Sequence, residues 1–321
     1  MELYLFEHEK FEFFYNCSMK TSEEWSQIGV RNMGIGIVSI VLGIISLPLY
    51  IPCMKTMLEP ELWRYSCYKL MFFNGVVDVI GTVNSCFFTG YMAIQGTVFC
   101  HAPHFNYIYG CFIMGFWTIQ CMTAVLLAFN RCVDFWQNRF LSSLFDGRKT
   151  YFWFLLPIGY FLYFCIFVPP CLYSSFVNII PVCGPKCQQH PPCGHLIGSL
   201  CRARHLYLVE KSSLSGELMN KVQRQVYGHT QAFLICLIID LNGVIYVLFE
   251  FFPNLPGFFM TFVFLLWQWG CVGAVYIYLI LNKTLRHGVI RFYFGRRSLK
   301  IATASGLFSI TTARPPATSV A

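Results

Sequence analysis

The chain contains several long stretches that are almost free of charged residues, and this pattern limits its possible folds more than any other feature. Asp78 and Asp240 are the acids inside two of these stretches. Each stretch reaches the roughly 20 residues that a helix needs to cross the hydrocarbon core of a bilayer. The sequence therefore predicts a polytopic α-helical membrane protein. Its helices are expected at about residues 31–54, 67–93, 105–131, 151–177, 229–252 and 257–282.

The composition supports a membrane environment. Hydrophobic residues make up 56% of the chain and charged residues only 12%, about half the charged fraction of an ordinary soluble domain. The net charge of +8 does not indicate nucleic acid binding, because the basic residues are scattered through short loops and a tail. We therefore expect a lipid bilayer, and no nucleic acid, around this chain.

Lysine and arginine gather in alternate loops, which predicts the orientation of the helices. They follow the first, third and last predicted helices, as Lys55, Arg64 and Lys69, then Arg131, Arg139, Arg148 and Lys149, and finally Lys283, Arg286, Arg291, Arg296, Arg297 and Lys300. Residues 101–105 and 253–257 contain neither. Because basic loops stay in the cytoplasm, we expect an extracellular amino terminus (1–30), a transmembrane domain (31–289) and a cytoplasmic tail (290–321) in the plasma membrane.

Two further signals concern the amino-terminal side. Residues 1–20 lack the basic region and apolar core of a cleavable signal peptide, so the first membrane helix is expected to direct insertion. Asn16-Cys17-Ser18 is an acceptor sequence for N-glycosylation and is predicted to be used, since it would lie outside. Asn282-Lys283-Thr284 has the same form but would lie inside, and is predicted to stay unmodified.

The predicted helices leave a conflict in the number of crossings. With the first loop inside, the fourth helix ends outside, yet the helix near residue 229 must begin inside to leave the basic tail in the cytoplasm. One more crossing is required. Residues 181–215 offer no good candidate, because Arg202 and Arg204 interrupt their most apolar part. Two arginines in a span would cost roughly 5 to 7 kcal/mol.

Several segments resemble a known receptor family. The third predicted helix ends in LAFNRC, where G-protein-coupled receptors carry an acidic residue or Asn before an Arg. The segments that carry the likeness are GVVDVIGTVNSCFFTGY, NRCVDFWQNRFLSSLFDGRKTYFWFLLPIGYFLY, PPCLYSS, KVQRQVYGHTQAFLICLIIDLNGVIYV and WQWGCVGAVYIYLILNKTLRHGV. Together they resemble the nematode serpentine receptors of class T, a chemosensory G-protein-coupled receptor family. The likeness covers nearly all of residues 66–289 except 181–215.

The resemblance implies a seven-transmembrane helix bundle whose fifth helix is missing or degenerate here, so that only six good spans are left. A degenerate helix, an altered splice product or a mispredicted exon would each explain residues 181–215. The resemblance also implies a small-molecule ligand and a heterotrimeric G protein as partners. Asn130, Arg131 and Cys132 match the family's position for G-protein coupling. From spacing alone, Arg131 could equally anchor its helix at the interface, with its charge reaching water.

The acids inside the predicted spans are expected to face the interior of the bundle. Asp78 or Asp240 would each cost about 2.5 kcal/mol or more if it faced lipid. Asp78 could form a polar network with Asn74 and Asn84, or it could bind a cation. Proton transport by these acids is a further alternative, although the chain lacks the internal repeats common in transporters.

Cysteines cluster in the anomalous segment. Cys183, Cys187 and Cys193 are followed by His195, Cys201 and His205, but the spacings match no standard zinc site. Disulfides are the favoured prediction if the segment is outside, and zinc is the alternative. By resemblance to the common receptor bridge, one disulfide would reach Cys100.

The sequence contains no catalytic motif, such as a phosphate-binding loop, HExxH or GxSxG, so an enzyme is not expected. No cofactor or metal is expected either. The leading hypothesis is a chemosensory G-protein-coupled receptor. A membrane transporter or channel is the competing class, and an aberrant receptor product without function is a third possibility.

Overall fold

The structure is a computed structural model that describes residues 1–136, 139–173, 175, 216–251 and 257–304. The helices in these residues are α1 (Glu2–Phe6), α2 (His8–Phe14), α3 (Ser22–Ile28), α4 (Met33–Met57), α5 (Pro60–Trp63), α6 (Ser66–Thr82), α7 (Thr89–Gln95), α8 (Pro103–Trp136), α9 (Arg139–Leu144), α10 (Leu155–Phe167), α11 (Gly216–Phe251), α12 (Gly257–Leu281) and α13 (Lys283–Ala304). A π-helical turn, Val83–Phe88, joins α6 to α7.

Six helical segments of the described residues are long and apolar enough to cross a membrane. They are Met33–Met57, Ser66–Gln95, Pro103–Asp134, Lys149–Phe167, Val226–Ile245 and Thr261–Leu281. These segments confirm the predicted all-α membrane fold with six good spans. The anomalous segment, residues 181–215, lies entirely outside the described residues.

The fourth span is shorter than predicted. Its α-helix ends at Phe167, whereas the apolar pattern predicts a helix to about residue 177. Pro169 and Pro170 follow immediately, and Val168 before them is extended, with ψ at 140°. A proline lacks an N–H and disfavours helical backbone in the residue before it. The pair of prolines therefore stops the helix ten residues early.

Large apolar side chains cover the outer surface of the bundle. On α4 they include Ile37, Val38, Val41, Ile44 and Ile51, each about half exposed. A water-soluble protein rarely exposes a continuous apolar face of this kind. The surface is suited to hydrocarbon, which agrees with the predicted membrane environment.

The predicted basic loops meet at one end of the bundle. The ammonium of Lys69, at the start of α6, donates to the carbonyl oxygen of Gly147, in the loop before α10, at 2.9 Å. Arg291 of α13 forms an ion pair with Glu59, in the loop after α4. The loops predicted to be cytoplasmic thus share one end, as the charge pattern requires.

The carboxyl-terminal helix α13 docks against α4 through a carbonyl that a proline leaves free. Pro52 has no N–H, so the carbonyl of Pro48 four residues earlier lacks its usual helical partner. The hydroxyl of Tyr293 donates to this oxygen at 2.7 Å. Helix α13 also crosses the boundary predicted at residue 289, with a kink at Gly295, where φ is +73°.

Helices α4 and α7 cross at small residues. A β-carbon at Gly36 would lie 2.4 Å from Cγ1 of Ile94 and 2.7 Å from the carbonyl oxygen of Gly90, so the two backbones can approach this closely only because residue 36 is glycine. Small residues at such crossings are common in membrane bundles, where packing drives helix association.

Replacing Gly36 by alanine is expected to lower the free energy of unfolding by about 1 to 3 kcal/mol, because the added methyl overpacks the crossing. Gly34→Ala is the matched control, since a β-carbon there would meet only Oδ1 of Asn32 at 3.8 Å. Unfolding in mixed detergent micelles gives both values. Equal stability of the two variants would contradict the close crossing.

The amino-terminal segment packs on the opposite end of the bundle. Phe11 is buried, and its ring contacts those of Tyr4, Tyr15 and Tyr107, the last on α8. Helix α3 begins with a capping box in which Thr21 and Glu24 bond each other's backbone N–H. The backbone N–H and then the hydroxyl of Thr21 hold the pKa of Glu24 below its usual range.

A disulfide joins Cys17 to Cys100, 83 residues away. The resemblance had suggested that Cys100 pairs with a cysteine among Cys183, Cys187 and Cys193, and for Cys100 this prediction is wrong. The folded-back amino-terminal segment supplies the partner instead, and the indole N–H of Trp25 helps fix it by donating to the carbonyl of Cys17 at 3.1 Å. The other three cysteines lie outside the described residues.

Candidate functional site

A buried carboxylate lies where four of the spans meet. Asp78 of α6 is 1% exposed. One carboxylate oxygen accepts from the amide of Asn74 at 2.5 Å, and the other accepts from the amide of Gln120, on α8, at 2.9 Å. Both acceptor oxygens therefore have a donor, as a buried polar group requires.

The side-chain amides of Asn74 and Gln120 also form hydrogen bonds to another helix. Asn74 also donates to the hydroxyl of Tyr278 at 3.3 Å, and Gln120 also donates to the carbonyl oxygen of Gly270 at 3.1 Å, both on α12. The hydroxyl of Tyr50, on α4, donates to the carbonyl of Cys271 at 3.0 Å and lies beside Asp78. Four helices are thus held together around a single acid.

A second amide bridge depends on the π-helical turn. The amide of Gln268 donates to the hydroxyl of Ser39 on α4, at 2.8 Å, and to the carbonyl oxygen of Ser85, at 2.6 Å. Ser85 lies inside Val83–Phe88, where the π-helical turn alters the regular helical hydrogen bonding. The hydroxyl of Thr89 donates to the same oxygen. The π turn therefore makes a backbone carbonyl available to α12.

Two of the predicted polar residues do not take part in the network around Asp78. Asn84 donates to the carbonyl of Ile80 in its own helix, at 2.9 Å, and does not bond Asp78, so its predicted part in the network is wrong. The side chain is occupied by a backbone group one turn away. Asp240 was expected to face inward, but it is only half-buried and lies outside the network around Asp78.

A small cleft adjoins the network. Its walls are Val77, Gly81 and Asn84 of the second span, Ile113, Phe116, Trp117 and Gln120 of α8, and Trp267 and Cys271 of α12. The cleft offers about 10 Å³ of free space, roughly enough for one water molecule. Its lining is aromatic and apolar with two amides, and a larger molecule could enter only if the helices moved apart.

The end of α8 carries the asparagine and arginine that the sequence singled out. Asn130 is buried and donates to the hydroxyl of Ser66, at the start of α6, at 3.0 Å. The guanidinium of Arg131 lies 3.6 Å from the sulfur of Met71 and packs against Gly228 of α11. Among the described residues, no carboxylate lies within salt-bridge distance of Arg131. Cys132, the next residue, is half-buried.

These positions belong to a chain that matches a known family over most of its length. The match is to the family described as "Serpentine type 7TM GPCR chemoreceptor Srt" and covers residues 1–181 and 199–302. The chain belongs to this family. A relative, serpentine receptor class T-55 of Caenorhabditis elegans, is 29% identical over 172 residues. That alignment spans half of this chain and 45% of the relative.

Membership of the serpentine receptor family confirms the resemblance seen in the sequence. Within the anomalous segment 181–215, the family match leaves out residues 182–198 and resumes at residue 199. The segment with the unresolved crossing thus overlaps a gap of 17 residues in the family match. The described residues supply six spans of this seven-span receptor family.

Two bridging residues of this serpentine receptor, Gln120 and Gln268, are not predicted from the sequence. Neither is charged, so neither interrupts an apolar stretch, and the resemblance gave neither residue a role, although Gln268 lies in one of the segments that carry it. A usable signal was present nevertheless, because an amide side chain within a membrane span usually bonds a neighbouring helix. Asp78, Asn74, Asn130 and Arg131, which the sequence did select, are placed on inner faces by the structure.

Proposed function

We propose that this chain is a chemosensory receptor that binds a small molecule between its helices and activates a heterotrimeric G protein through the end of α8. The observation that carries the proposal is the setting of Arg131. Its guanidinium lies between α6, α8 and α11 rather than pointing to the membrane surface, as an interfacial anchor would.

A physical link connects the cleft with Arg131. Gln120 lines the cleft and donates to Asp78. Asn74, which bonds the same carboxylate, lies one helical turn from Met71, whose sulfur contacts Arg131. A ligand that spreads the cleft would therefore shift groups attached to α6 and α8. Such a ligand biases the receptor only if it binds one of two packings more tightly than the other.

The proposal also includes the orientation and location of the chain. We propose that the end with the Cys17–Cys100 disulfide is extracellular, that the basic end is cytoplasmic, and that the protein resides in the plasma membrane. Asn16 is exposed, and its side chain accepts only from the nearby backbone N–H of Ser18, at 2.8 Å, which leaves it accessible to glycosylation. The amide oxygen of Asn282 instead caps α13 by accepting from Thr284 and Leu285.

Replacing Arg131 by alanine is expected to reduce receptor-driven nucleotide exchange at least tenfold, because the G protein would lose the guanidinium as a contact. Basal GTPγS binding, measured on the receptor in nanodiscs with purified G proteins of each α-subunit class, checks this without a known ligand. Arg148→Ala removes the same charge from an exposed position at the same end, and serves as the control.

Each result of this experiment has a defined meaning. Equal exchange by Arg131→Ala and Arg148→Ala would show that Arg131 is only an anchor. Solute or ion flux through the wild-type protein, without nucleotide exchange, would favour a transporter or channel. Surface labelling of a tagged copy tests the remaining alternative, since a protein retained inside the cell would indicate an aberrant receptor product.

A further inference from the structure

Gly228 is the residue of α11 that faces Arg131. A β-carbon at this position would lie 3.2 Å from both Cζ and Nη1 of the guanidinium, and 3.5 Å from Nε. The two distances of 3.2 Å are shorter than most contacts of a β-carbon, whereas 3.5 Å is an ordinary contact. Gly228 is itself buried. The guanidinium therefore rests directly on the backbone of α11, in space that any other residue would fill.

Among the residues that the structure describes, no salt bridge joins the three helices in this region. Gln231, one turn after Gly228, donates to the sulfur of Met71 at 3.5 Å, and the guanidinium of Arg131 approaches that sulfur at 3.6 Å. Sulfur is only a weak acceptor. The described contacts of Arg131 across to α11 are therefore packing contacts, of which the close approach to Gly228 is the tightest.

We infer that Gly228 is a positioning residue, which sets the spacing of α8 and α11 and so holds the resting state of the receptor. The inference rests on the proposed role of Arg131 in coupling. With glycine, α11 can lie against the guanidinium and close the cytoplasmic end. A side chain at this position would displace the guanidinium, move α11 outward and favour the packing that admits a G protein.

Gly243→Ala provides a matched control on the same helix. A β-carbon at Gly243 would lie 3.7 Å from Cζ2 of Trp117, which is an ordinary contact distance. Both substitutions replace a helical glycine by a residue with higher helix propensity. Any difference between Gly228→Ala and Gly243→Ala therefore reports the space at Arg131 rather than the helix propensity.

The test measures the distance between α8 and α11 directly. Spin labels are attached through p-acetylphenylalanine at Trp136 and Tyr227, which are both exposed, and the distance is read by electron resonance in nanodiscs. Gly228→Leu is expected to increase it by about 1 to 2 Å, Gly228→Ala by less, and Gly243→Ala not at all. Basal nucleotide exchange should rise about tenfold in Gly228→Leu.

Adding Arg131→Ala tests whether the Arg131 guanidinium is the group that the new side chain displaces. In the Arg131→Ala background, Gly228→Leu should leave the distance unchanged, because the guanidinium is absent. An unchanged distance in Gly228→Leu itself, or an equal increase with and without Arg131, would overturn the inference. If Gly228→Leu does not fold, Gly228→Ala is used in its place. A distance between α8 and α11 in Gly228→Ala equal to that in Gly243→Ala would then overturn the inference. An increased distance without any increase in exchange supports the positioning role and refutes the proposed coupling role of Arg131.

Discussion

Replacing Gln120 by leucine is expected to lower the free energy of unfolding by about 3 kcal/mol. The substitution removes the donor to a buried carboxylate oxygen of Asp78 and an additional donor to the helical carbonyl of Gly270. A buried acceptor left without a partner costs roughly 1 to 3 kcal/mol, and more when it is charged. The measurement is reversible unfolding in mixed detergent micelles. A loss of this size would make Gln120 a main structural link between α6, α8 and α12.

Thr123→Val is the control for this substitution. Its hydroxyl donates only to the carbonyl of Ile119 in the same helix, at 2.6 Å, so the expected loss is about 1 kcal/mol or less. Asp78→Leu combined with Gln120→Leu should cost less than the sum of the single losses, because both partners become apolar. Additive losses, or equal losses for Gln120→Leu and Thr123→Val, would contradict the network.

Loss of the Cys17–Cys100 disulfide is expected to destabilise the protein by about 2 kcal/mol, at the lower end of the usual range. The bond closes a segment of 83 residues, but α4 and α6 within that segment stay in the bilayer when the bundle opens. The unfolded chain therefore regains less freedom than a soluble chain would. Cys17→Ser and Cys100→Ser should each show this loss.

The double variant and a reductant provide the controls for the disulfide. Cys17→Ser combined with Cys100→Ser should be no less stable than either single variant, since all three lack the same bond. Dithiothreitol should destabilise the wild-type protein by the same amount and leave Cys17→Ser unchanged. Additive effects of the two serines would show that the cysteines act separately.

Much of the fold was predictable because a bilayer imposes strong rules on a sequence. The first helix was expected at about residues 31–54 and is observed at Met33–Met57. Pro169 and Pro170 indicate the end of the fourth helix, although the apolar pattern continues past them to about residue 177. Because hydrocarbon offers no hydrogen-bond partners, the backbone of a single apolar segment of this length crosses the bilayer as a helix, in which its N–H and C=O groups bond each other.

The candidate site was less predictable because it depends on contacts between distant helices. Charge made Asp78 and Arg131 conspicuous, whereas Gln120 and Gln268 gave no comparable signal. The wrong expectation for Asn84 has a local cause, since its side chain bonds a carbonyl of its own helix at the start of the π turn. The partner of Cys100 could not be deduced either, because sequence does not determine which cysteines pair.

Cys17 is the middle residue of the Asn16 acceptor sequence, and this position orders two steps in the maturation of the protein. The chain is made from its amino end, so Cys17 has no partner until Cys100 has been synthesised, 83 residues later. At ordinary translation rates the delay is roughly 4 to 17 s. During that time the acceptor sequence is unconstrained by the bond. The proposed glycan would therefore be added first, and the disulfide would then fix the glycosylated segment against the start of α8.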